Sequence, residues 1–215
     1  AQLGRKLQNT YAVSVRNNVA VIPIHGPLFR YANLFTVISG ATSYELLARD
    51  FNEALENQEI KAILFDIDSP GGEVNGCSEL ADMIYQARGK KPIIAYASGN
   101  CCSGAYWIAA ACDEIVVTDT ALVGSIGVVA VYERQDGKNE IEIVSSQSPL
   151  KRINPETPEG LAHIQNRLDS LAEVFINKIA LYRDVSTETV IKDFGQGIKY
   201  LTNKGIDEKL IIDNS

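Results

Sequence analysis

The sequence predicts an α/β domain, since short β-rich apolar runs alternate along the chain with segments of helical periodicity. Strands joined through helices pair in parallel, so we expect a largely parallel sheet with helical crossovers. The chain has 215 residues, of which 46% are apolar and 22% charged, and this is enough to bury one substantial core. No repeat or linker divides it. We therefore predict one domain over residues 1–215, with 1–18 as an N-terminal extension and 158–215 as a C-terminal helical section.

The strands are predicted from runs of branched apolar residues that end at turn-forming residues. These runs lie at residues 18–24, 61–67, 92–97, 114–118, 126–131 and 141–144. The segments 30–42 and 133–140 have no such pattern, and we expect them to be irregular.

The helices are predicted from apolar residues at helical spacing between start and stop signals. Four helices are predicted in this way. The first begins after a cap at Ser43, the second runs through Leu80 and Ile84 and stops at Gly89, the third follows Ser103, and the fourth has Pro158 at its first position.

Composition and charge argue against several classes of protein. With 27 acidic and 20 basic residues the net charge is −7, which is atypical of a nucleic-acid binder. No apolar run approaches the ~18 residues of a membrane span, and the basic start is not followed by the apolar region of a signal peptide. We therefore predict a cytoplasmic protein with no stable membrane span and no nucleic-acid partner.

The four cysteines, Cys77, Cys101, Cys102 and Cys112, match no zinc-binding spacing. We expect reduced and mostly buried thiols, which are typical of cytosolic proteins. A nucleophilic thiol at Cys102 is the functional alternative.

Ser103 lies among small residues directly ahead of an apolar, helix-forming run. The free N–H groups at a helix start carry partial positive charge, so a serine there can attack a carbonyl while neighbouring N–H groups hold the oxyanion. The alternative is an ordinary helix cap, because serine is a preferred capping residue.

The loop at residues 68–72 reads Asp-Ser-Pro-Gly-Gly and follows a predicted strand. Paired glycines permit backbone conformations closed to other residues, so such a loop can present an N–H to a ligand. A second N–H would come from Gly104, and both loops would meet at the carboxyl ends of adjacent strands, where α/β folds bind ligands. The alternative is a tight strand-to-helix turn.

A serine nucleophile needs a base. His25 lies in the turn after the first strand, and His163 lies off the apolar stripe of the long helix, where it is structural or solvent-facing. A lysine serves as base when burial lowers its pKa, and Lys151 is the leading candidate, against an exposed loop lysine as the alternative. Ser125, between two nearby glycines, is a candidate to orient the lysine, against a simple turn.

These pieces, in this order, resemble peptidase family S49, which includes signal peptide peptidase A and the phage prohead proteases. The matching stretches are residues 22–28, 68–72, 97–109, 121–129 and Lys151, within about residues 19–213. Residues 42–45 and 149–155 are similar to the phage-type, single-domain form. The resemblance implies a Clp-protease/crotonase-like fold of repeated ββα units and a Ser–Lys dyad without metal or organic cofactor.

In that resemblance Ser103 is the nucleophile, Lys151 is the base, and Ser125 assists the lysine. It also implies a homo-oligomer, ring-like in form, that encloses a proteolytic chamber.

The same resemblance assigns the oxyanion hole to Gly72 and Gly104, and substrate binding to Gly71 and Val74. The substrate would be a polypeptide bound as an extended strand.

Three features depart from the family pattern. Two cysteines precede Ser103 where small alanine-like residues are usual, the polar segment 133–140 is short for a helical crossover, and position 150 is a leucine. The last two leave the alignment of Lys151 open by about a residue.

The sequence therefore favours a serine endopeptidase, specifically a phage or prophage head-maturation (prohead) protease that cleaves capsid or scaffold protein within the assembling procapsid in the bacterial host. The alternatives are a host peptidase that degrades signal peptides, a crotonase-like acyl-CoA enzyme, and an inactive assembly component. A triad of Ser103 and His25 with Asp66 or Asp68 is a further option for the same chemistry.

Overall fold

The computed structural model describes residues 5–32, 40–132, 143–194 and 196–201. The chain forms two compact units, one of residues 1–127 with 175–215 and one of residues 128–174. Among the predictions, segment 133–140, the first two residues of the 141–144 run and part of segment 30–42 fall outside the described residues. The single-domain interpretation stays a prediction.

The first unit holds the strands that the structure describes. They are β1 (Arg5–Lys6), β2 (Ser14–Arg16), β3 (Val19–His25), β4 (Leu28–Phe29), β5 (Thr42–Ser43), β6 (Ala62–Ser69), β7 (Ile93–Cys102), β8 (Glu114–Val117), β9 (Leu122–Gly124) and β10 (Lys199–Leu201).

The helices occupy both units. They are α1 (Tyr44–Glu56), α2 (Cys77–Gln86), α3 (Gly104–Ala110), a short 3-10 helix (Pro149–Lys151), α4 (Pro158–Arg183) and α5 (Thr187–Asp193). Within the described residues, no helix is long and apolar enough to cross a membrane.

The main sheet is parallel at its centre, as the alternation of strands and helices predicts. Its order is β1-β2-β3-β6-β7-β9-β10, with β8 also paired to β7. The pairs β3–β6, β6–β7, β7–β8 and β7–β9 are parallel, whereas β1–β2, β2–β3 and β9–β10 are antiparallel. The parallel centre directs the carboxyl ends of β6, β7 and β9 to one edge, which is where open α/β sheets bind ligands.

The core lies between the sheet and the helices of the first unit. Side chains alternate along β6, so that Ile63, Phe65 and Ile67 are fully buried while Asp66 is half-buried. Phe51 of α1 stacks on Phe65 with ring centroids 5.9 Å apart. This packing fixes α1 on the sheet and with it the residues at its start.

The predicted start of α1 is confirmed. Ser43 accepts a hydrogen bond from the N–H of Leu46 at 3.2 Å and is the N-cap of the helix. A serine cap satisfies one of the free N–H groups of the first turn. The start of α4 at Pro158 is confirmed as well.

Three strand predictions are wrong in whole or in part, and one of them is the 141–144 run, whose described residues Ile143 and Val144 are not in a strand. Residues 126–131 are not in a strand, because Gly124 and Ser125 both have positive φ, of 105° and 56°, which takes the chain out of extended conformation. Conversely, β7 runs past the predicted residue 97 to Cys102, since its last three residues pair with β9.

Candidate active site

Ser103 connects the end of β7 to the start of α3. Its backbone has φ 54° and ψ −125°, a conformation that glycine adopts readily and other residues avoid. Its N–H donates to the Gly124 carbonyl at 2.8 Å, and its own carbonyl accepts from the Trp107 N–H at 3.0 Å. The serine is therefore held in a strained conformation from both sides.

The Ser103 hydroxyl does not cap the helix. Ser103 occupies the N-cap position of α3, yet its side chain makes no capping hydrogen bond. The side chain is partly exposed, whereas the residues on either side of it are buried. The ordinary-cap interpretation of this serine is thus contradicted.

An irregularity in β7 immediately precedes the serine. Ile67 of β6 pairs with Ala97, but Ser69 pairs with Cys101, so β7 carries two extra residues between these pairs. The Asp68 carboxylate accepts hydrogen bonds there from the backbone N–H and side-chain amide of Asn100, at 2.9 and 3.3 Å. Bulges of this kind re-aim the chain next to active sites.

The bulge requires the glycine at its centre. A Cβ atom on Gly99 would lie 2.4 Å from an Asp68 carboxylate oxygen. The sequence motif pointed to Asp68, but neither the bulge nor the role of Gly99 was predicted. A register shift of this kind is a property of strand pairing that has no local sequence signal.

Backbone hydrogen bonds to Leu28 anchor the loop at residues 70–73. The N–H of Leu28 donates to the Gly71 carbonyl at 3.0 Å, and the N–H of Glu73 donates to the Leu28 carbonyl at 2.9 Å. These bonds form a parallel bridge between Leu28 and Gly72. In such a bridge the bonds are made by the residues on either side of Gly72, so the N–H of Gly72 itself points away from Leu28.

Both glycines of the loop are fixed by close contacts. Gly71 has φ 96°, and a Cβ on it would lie 2.7 Å from Ser103 Cβ and 2.9 Å from the Gly104 nitrogen. A Cβ on Gly72 would lie 2.0 Å from the Leu28 carbonyl oxygen. The loop therefore packs directly on the serine, and only glycine fits at either position.

The N–H groups of Gly72 and Gly104 lie close to each other and beside Ser103. The Gly72 nitrogen is 3.7 Å from the position of a Cβ on Gly104. Gly104 is the first residue of α3, so its N–H has no partner within the helix. Among the described residues, neither N–H makes a backbone hydrogen bond. The arrangement can hold an oxyanion formed at the serine.

Ser125 and Val74 lie near these groups. Cys102 pairs with Gly124 across β7 and β9, which places Ser125 one residue beyond the last pair, at the level of Ser103. The N–H of Ser125 donates to the Ile198 carbonyl at 2.9 Å. Val74 is partly buried and lies in the turn ahead of α2, two residues beyond Gly72.

Lys151 belongs to the second unit. It ends the short 3-10 helix, its N–H donates to the Ser148 carbonyl at 3.0 Å, and its side chain is exposed. It lines a cavity of about 550 Å³ together with Ile143 and Arg152, among others. The structure thus brings together the predicted site residues of the first unit and describes Lys151 in the other unit.

The histidine alternative has its own surroundings. The His25 imidazole lies 3.6 Å from an Asp66 carboxylate oxygen, and the other Asp66 oxygen accepts the Ser98 hydroxyl at 2.8 Å. No hydrogen bond joins His25 to Ser103 in the structure as described. His163 is exposed on α4, as expected.

The cysteines are free and buried, as predicted. Burial raises the pKa of the Cys102 thiol, against a smaller lowering effect of Lys199, so the thiol stays protonated near neutral pH. A protonated, buried thiol is a poor nucleophile. This argues against Cys102 as the reactive group.

Comparison with known proteins identifies a family. The model of peptidase family S49 matches residues 86–215. The head-tail preconnector protein GP5 of Enterobacteria phage P21 is 31% identical over 195 residues, which cover 87% of this chain and 38% of that protein. The capsid assembly protease C of Escherichia phage lambda is 31% identical over 185 residues, which cover 82% and 42%.

A plant relative is more distant. The chloroplastic serine protease SPPA of Arabidopsis thaliana is 27% identical over 213 residues, which cover 92% of this chain and 30% of that protein. The chain thus spans about two fifths of the length of the two phage relatives and less of the plant one.

Proposed function

The chain belongs to peptidase family S49, and from this premise we propose that it is a serine endopeptidase with Ser103 as its nucleophile. The observation that carries the proposal is the hydroxyl of Ser103, which does not cap its helix and is held on strained backbone beside the N–H groups of Gly72 and Gly104. We also propose that the domain spans residues 1–215 and has the Clp-protease/crotonase-like fold.

In the proposed reaction the Ser103 oxygen attacks the scissile carbonyl carbon while its proton passes to the base. The N–H groups of Gly72 and Gly104 stabilise the resulting oxyanion. The carbon–nitrogen bond then breaks, and the leaving amine takes the proton from the base. Water, deprotonated by the same base, hydrolyses the acyl ester and regenerates the serine.

We propose that Lys151 is the base and that Ser125 hydrogen-bonds and orients its amine. The base must be neutral, and burial away from water favours the neutral form of a lysine. We propose that the active form is a homo-oligomer, ring-like as the family resemblance implies, and that assembly provides the shielding.

The proposed substrate is a polypeptide bound in extended form. Gly71 and Val74 flank the proposed oxyanion loop, and main-chain groups of this segment would pair with the substrate strand. Such binding places the scissile carbonyl by backbone contacts, so cleavage preference depends on the side chains beside them.

We propose a role in phage head maturation, with capsid or scaffold protein as substrate, in the bacterial cytoplasm and within the assembling procapsid. The support is that the two phage relatives share more identity with this chain than the plant peptidase does. A host peptidase acting on signal peptides is the second candidate, since the family also contains such enzymes.

Cleavage of quenched fluorescent peptides and labelling by a fluorophosphonate test the assignment. Ser103→Ala is expected to remove labelling and to lower kcat/KM by about 1,000-fold or more, because the nucleophile is lost while binding is kept. Lys151→Met, which keeps the side-chain length, is expected to lower kcat to a comparable extent.

The controls are Ser170→Ala and Lys192→Met, at exposed helix positions that make none of the contacts described for the site. Both are expected to cleave and label like the wild type. Wild-type cleavage by Ser103→Ala would overturn the nucleophile assignment, and wild-type cleavage by Lys151→Met would overturn the base. Activity lost in His25→Ala with Lys151→Met fully active would favour the histidine triad.

A further inference from the structure

Tyr44, at the start of α1, is almost completely buried, with 3% of its surface exposed. Its hydroxyl donates a hydrogen bond of 2.7 Å to the backbone carbonyl of Glu73. Glu73 directly follows Gly72, whose N–H is one of the two proposed oxyanion donors. The tyrosine therefore holds the chain one residue beyond that donor.

The same hydroxyl also contacts the second donor loop. A Cβ on Gly104 would lie 3.1 Å from the Tyr44 oxygen, 3.5 Å from the Cys77 sulfur and 3.7 Å from the Gly72 nitrogen. The Cys77 thiol in turn donates to the Gly104 carbonyl at 3.4 Å. The Tyr44 hydroxyl thus lies between the two segments that carry the N–H groups of Gly72 and Gly104.

The Tyr44 ring has little freedom to move. Its edge would lie 3.0 Å from a Cβ on Gly76, in the turn that begins α2. Burial, with a contribution from the Cys77 thiol, raises the pKa of Tyr44, so the hydroxyl keeps its proton and remains a donor. The ring packs in the core, and the Ser43 cap fixes the helix that carries it.

We propose that Tyr44 is a positioning residue that sets the distance between the N–H groups of Gly72 and Gly104, and the inference rests on the proposed peptidase function. Leu28 anchors the Gly72 loop through its backbone N–H and carbonyl, and Tyr44 anchors the following residue through its hydroxyl. Donors placed for a transition-state oxyanion lose much of their effect when they shift by about 1 Å.

The position was not predicted as part of the site, because Tyr44 reads in the sequence as the first core residue of an amphipathic helix. The contact with the Glu73 carbonyl joins residues 29 positions apart. Only the packing of α1 against the loop shows that the hydroxyl end of this side chain lies at the site.

Tyr44→Phe removes the hydroxyl and keeps the ring. It is expected to lower kcat for peptide cleavage by about 10- to 100-fold with KM changed less than two-fold. The affinity for a peptide boronic acid, which forms a tetrahedral adduct with the serine, is expected to fall by a similar factor. Affinity for the corresponding product peptide is expected to stay unchanged.

The matched control is Tyr182→Phe. Tyr182 is also buried, with 2% of its surface exposed, and its hydroxyl donates to an Asp82 carboxylate oxygen at 2.6 Å. It is expected to lose stability in urea unfolding while keeping kcat and boronate affinity. A fall in kcat and boronate affinity confined to Tyr44→Phe supports a positioning role rather than a general loss of packing.

The experiment separates this inference from the peptidase assignment. If the wild type neither cleaves nor binds the boronic acid, the proposed function fails. If the wild type is active and Tyr44→Phe is folded with unchanged kcat and boronate affinity, the positioning role alone is overturned. Should Tyr44→Phe fail to fold under the assay conditions, the same measurements are made on both proteins in sucrose, which favours the folded state, and unchanged kcat and boronate affinity of the variant there overturn the proposal.

Discussion

At the residue scale, Ser103 combines a reactive group with backbone strain. A non-glycine residue at φ 54° and ψ −125° costs about 1–3 kcal/mol relative to a relaxed conformation. The hydrogen bonds of its N–H and carbonyl hold the residue in place at this cost. The sequence therefore keeps a strained residue at this position.

A glycine is expected to relieve that strain. Ser103→Gly should be more stable than Ser103→Ala by about 1 kcal/mol, since the strain removed exceeds the ~0.5–1 kcal/mol by which glycine entropy disfavours folding. Both variants lack the hydroxyl, so both are expected to be inactive. Urea unfolding of the two proteins measures the difference.

Because both variants lack the hydroxyl, the difference between their free energies of unfolding reports the backbone strain at residue 103. Equal stabilities, or a less stable glycine variant, would contradict the strain. A serine that is strained yet retained, in a protein where glycine is more stable, is the pattern of a functional site.

At the element scale, much of the fold could be predicted from the sequence. Periodicity and caps predicted the helices that follow Ser43 and open at Pro158, and apolar runs predicted the central strands. The failure at residues 126–131 has a definite cause, because the residues are β-formers while Gly124 and Ser125 turn the chain away before them. The β-propensity of residues 126–131 favours a strand, but the backbone conformation of the two residues before them prevents one from forming.

The loop that packs on the serine gives an element-scale prediction. Gly71→Ala is expected to destabilise the protein by about 2–5 kcal/mol, from ~1–2 kcal/mol for a left-handed backbone and ~1–3 kcal/mol for the overlap with Ser103 and its neighbours. The free energy of unfolding in urea measures the loss. Fluorophosphonate labelling of the folded fraction is expected to be lost as well.

Gly89→Ala is the matched control for this change. Gly89 also has positive φ, of 81°, but nothing lies within 4 Å of a Cβ built on it. Gly89→Ala is expected to lower the free energy of unfolding by only the backbone contribution, about 1–2 kcal/mol, and the variant is expected to be labelled by the fluorophosphonate. Equal losses at the two glycines would show that the loop is not packed on the serine as described.

At the scale of the whole molecule, the sequence predicted the groups of the first-unit site but not how they are held. Ser103, Gly72 and Gly104 lie in recognisable local motifs, and their convergence follows from parallel strands ending at one edge. Tyr44 and Gly99 act through contacts with residues far away in the chain, and Lys151 lies in the second unit. Such contacts depend on the tertiary fold, which periodicity does not encode.

The long helix α4 begins in the second unit and ends in the first, so part of the first unit's core comes from residues after 174. The Phe175 ring stacks on Trp107 of α3, the helix behind Ser103, with centroids 4.2 Å apart and planes 7° apart. Lys178 adds an ion pair with Asp82 of α2, at 2.6 Å. The helix that carries the nucleophile thus rests on the C-terminal half of α4.

Phe175→Ala is therefore expected to destabilise the protein by about 3–5 kcal/mol, because a ring that is 2% exposed leaves a cavity against Trp107. Val174→Ala, at a neighbouring position that is 44% exposed, is expected to cost less than about 1 kcal/mol. Urea unfolding followed by tryptophan fluorescence reports both, since Trp107 is the single tryptophan of the chain. If the two substitutions cost the same, α4 does not complete the core behind Ser103, and the support for the nucleophile helix must come from elsewhere in the first unit.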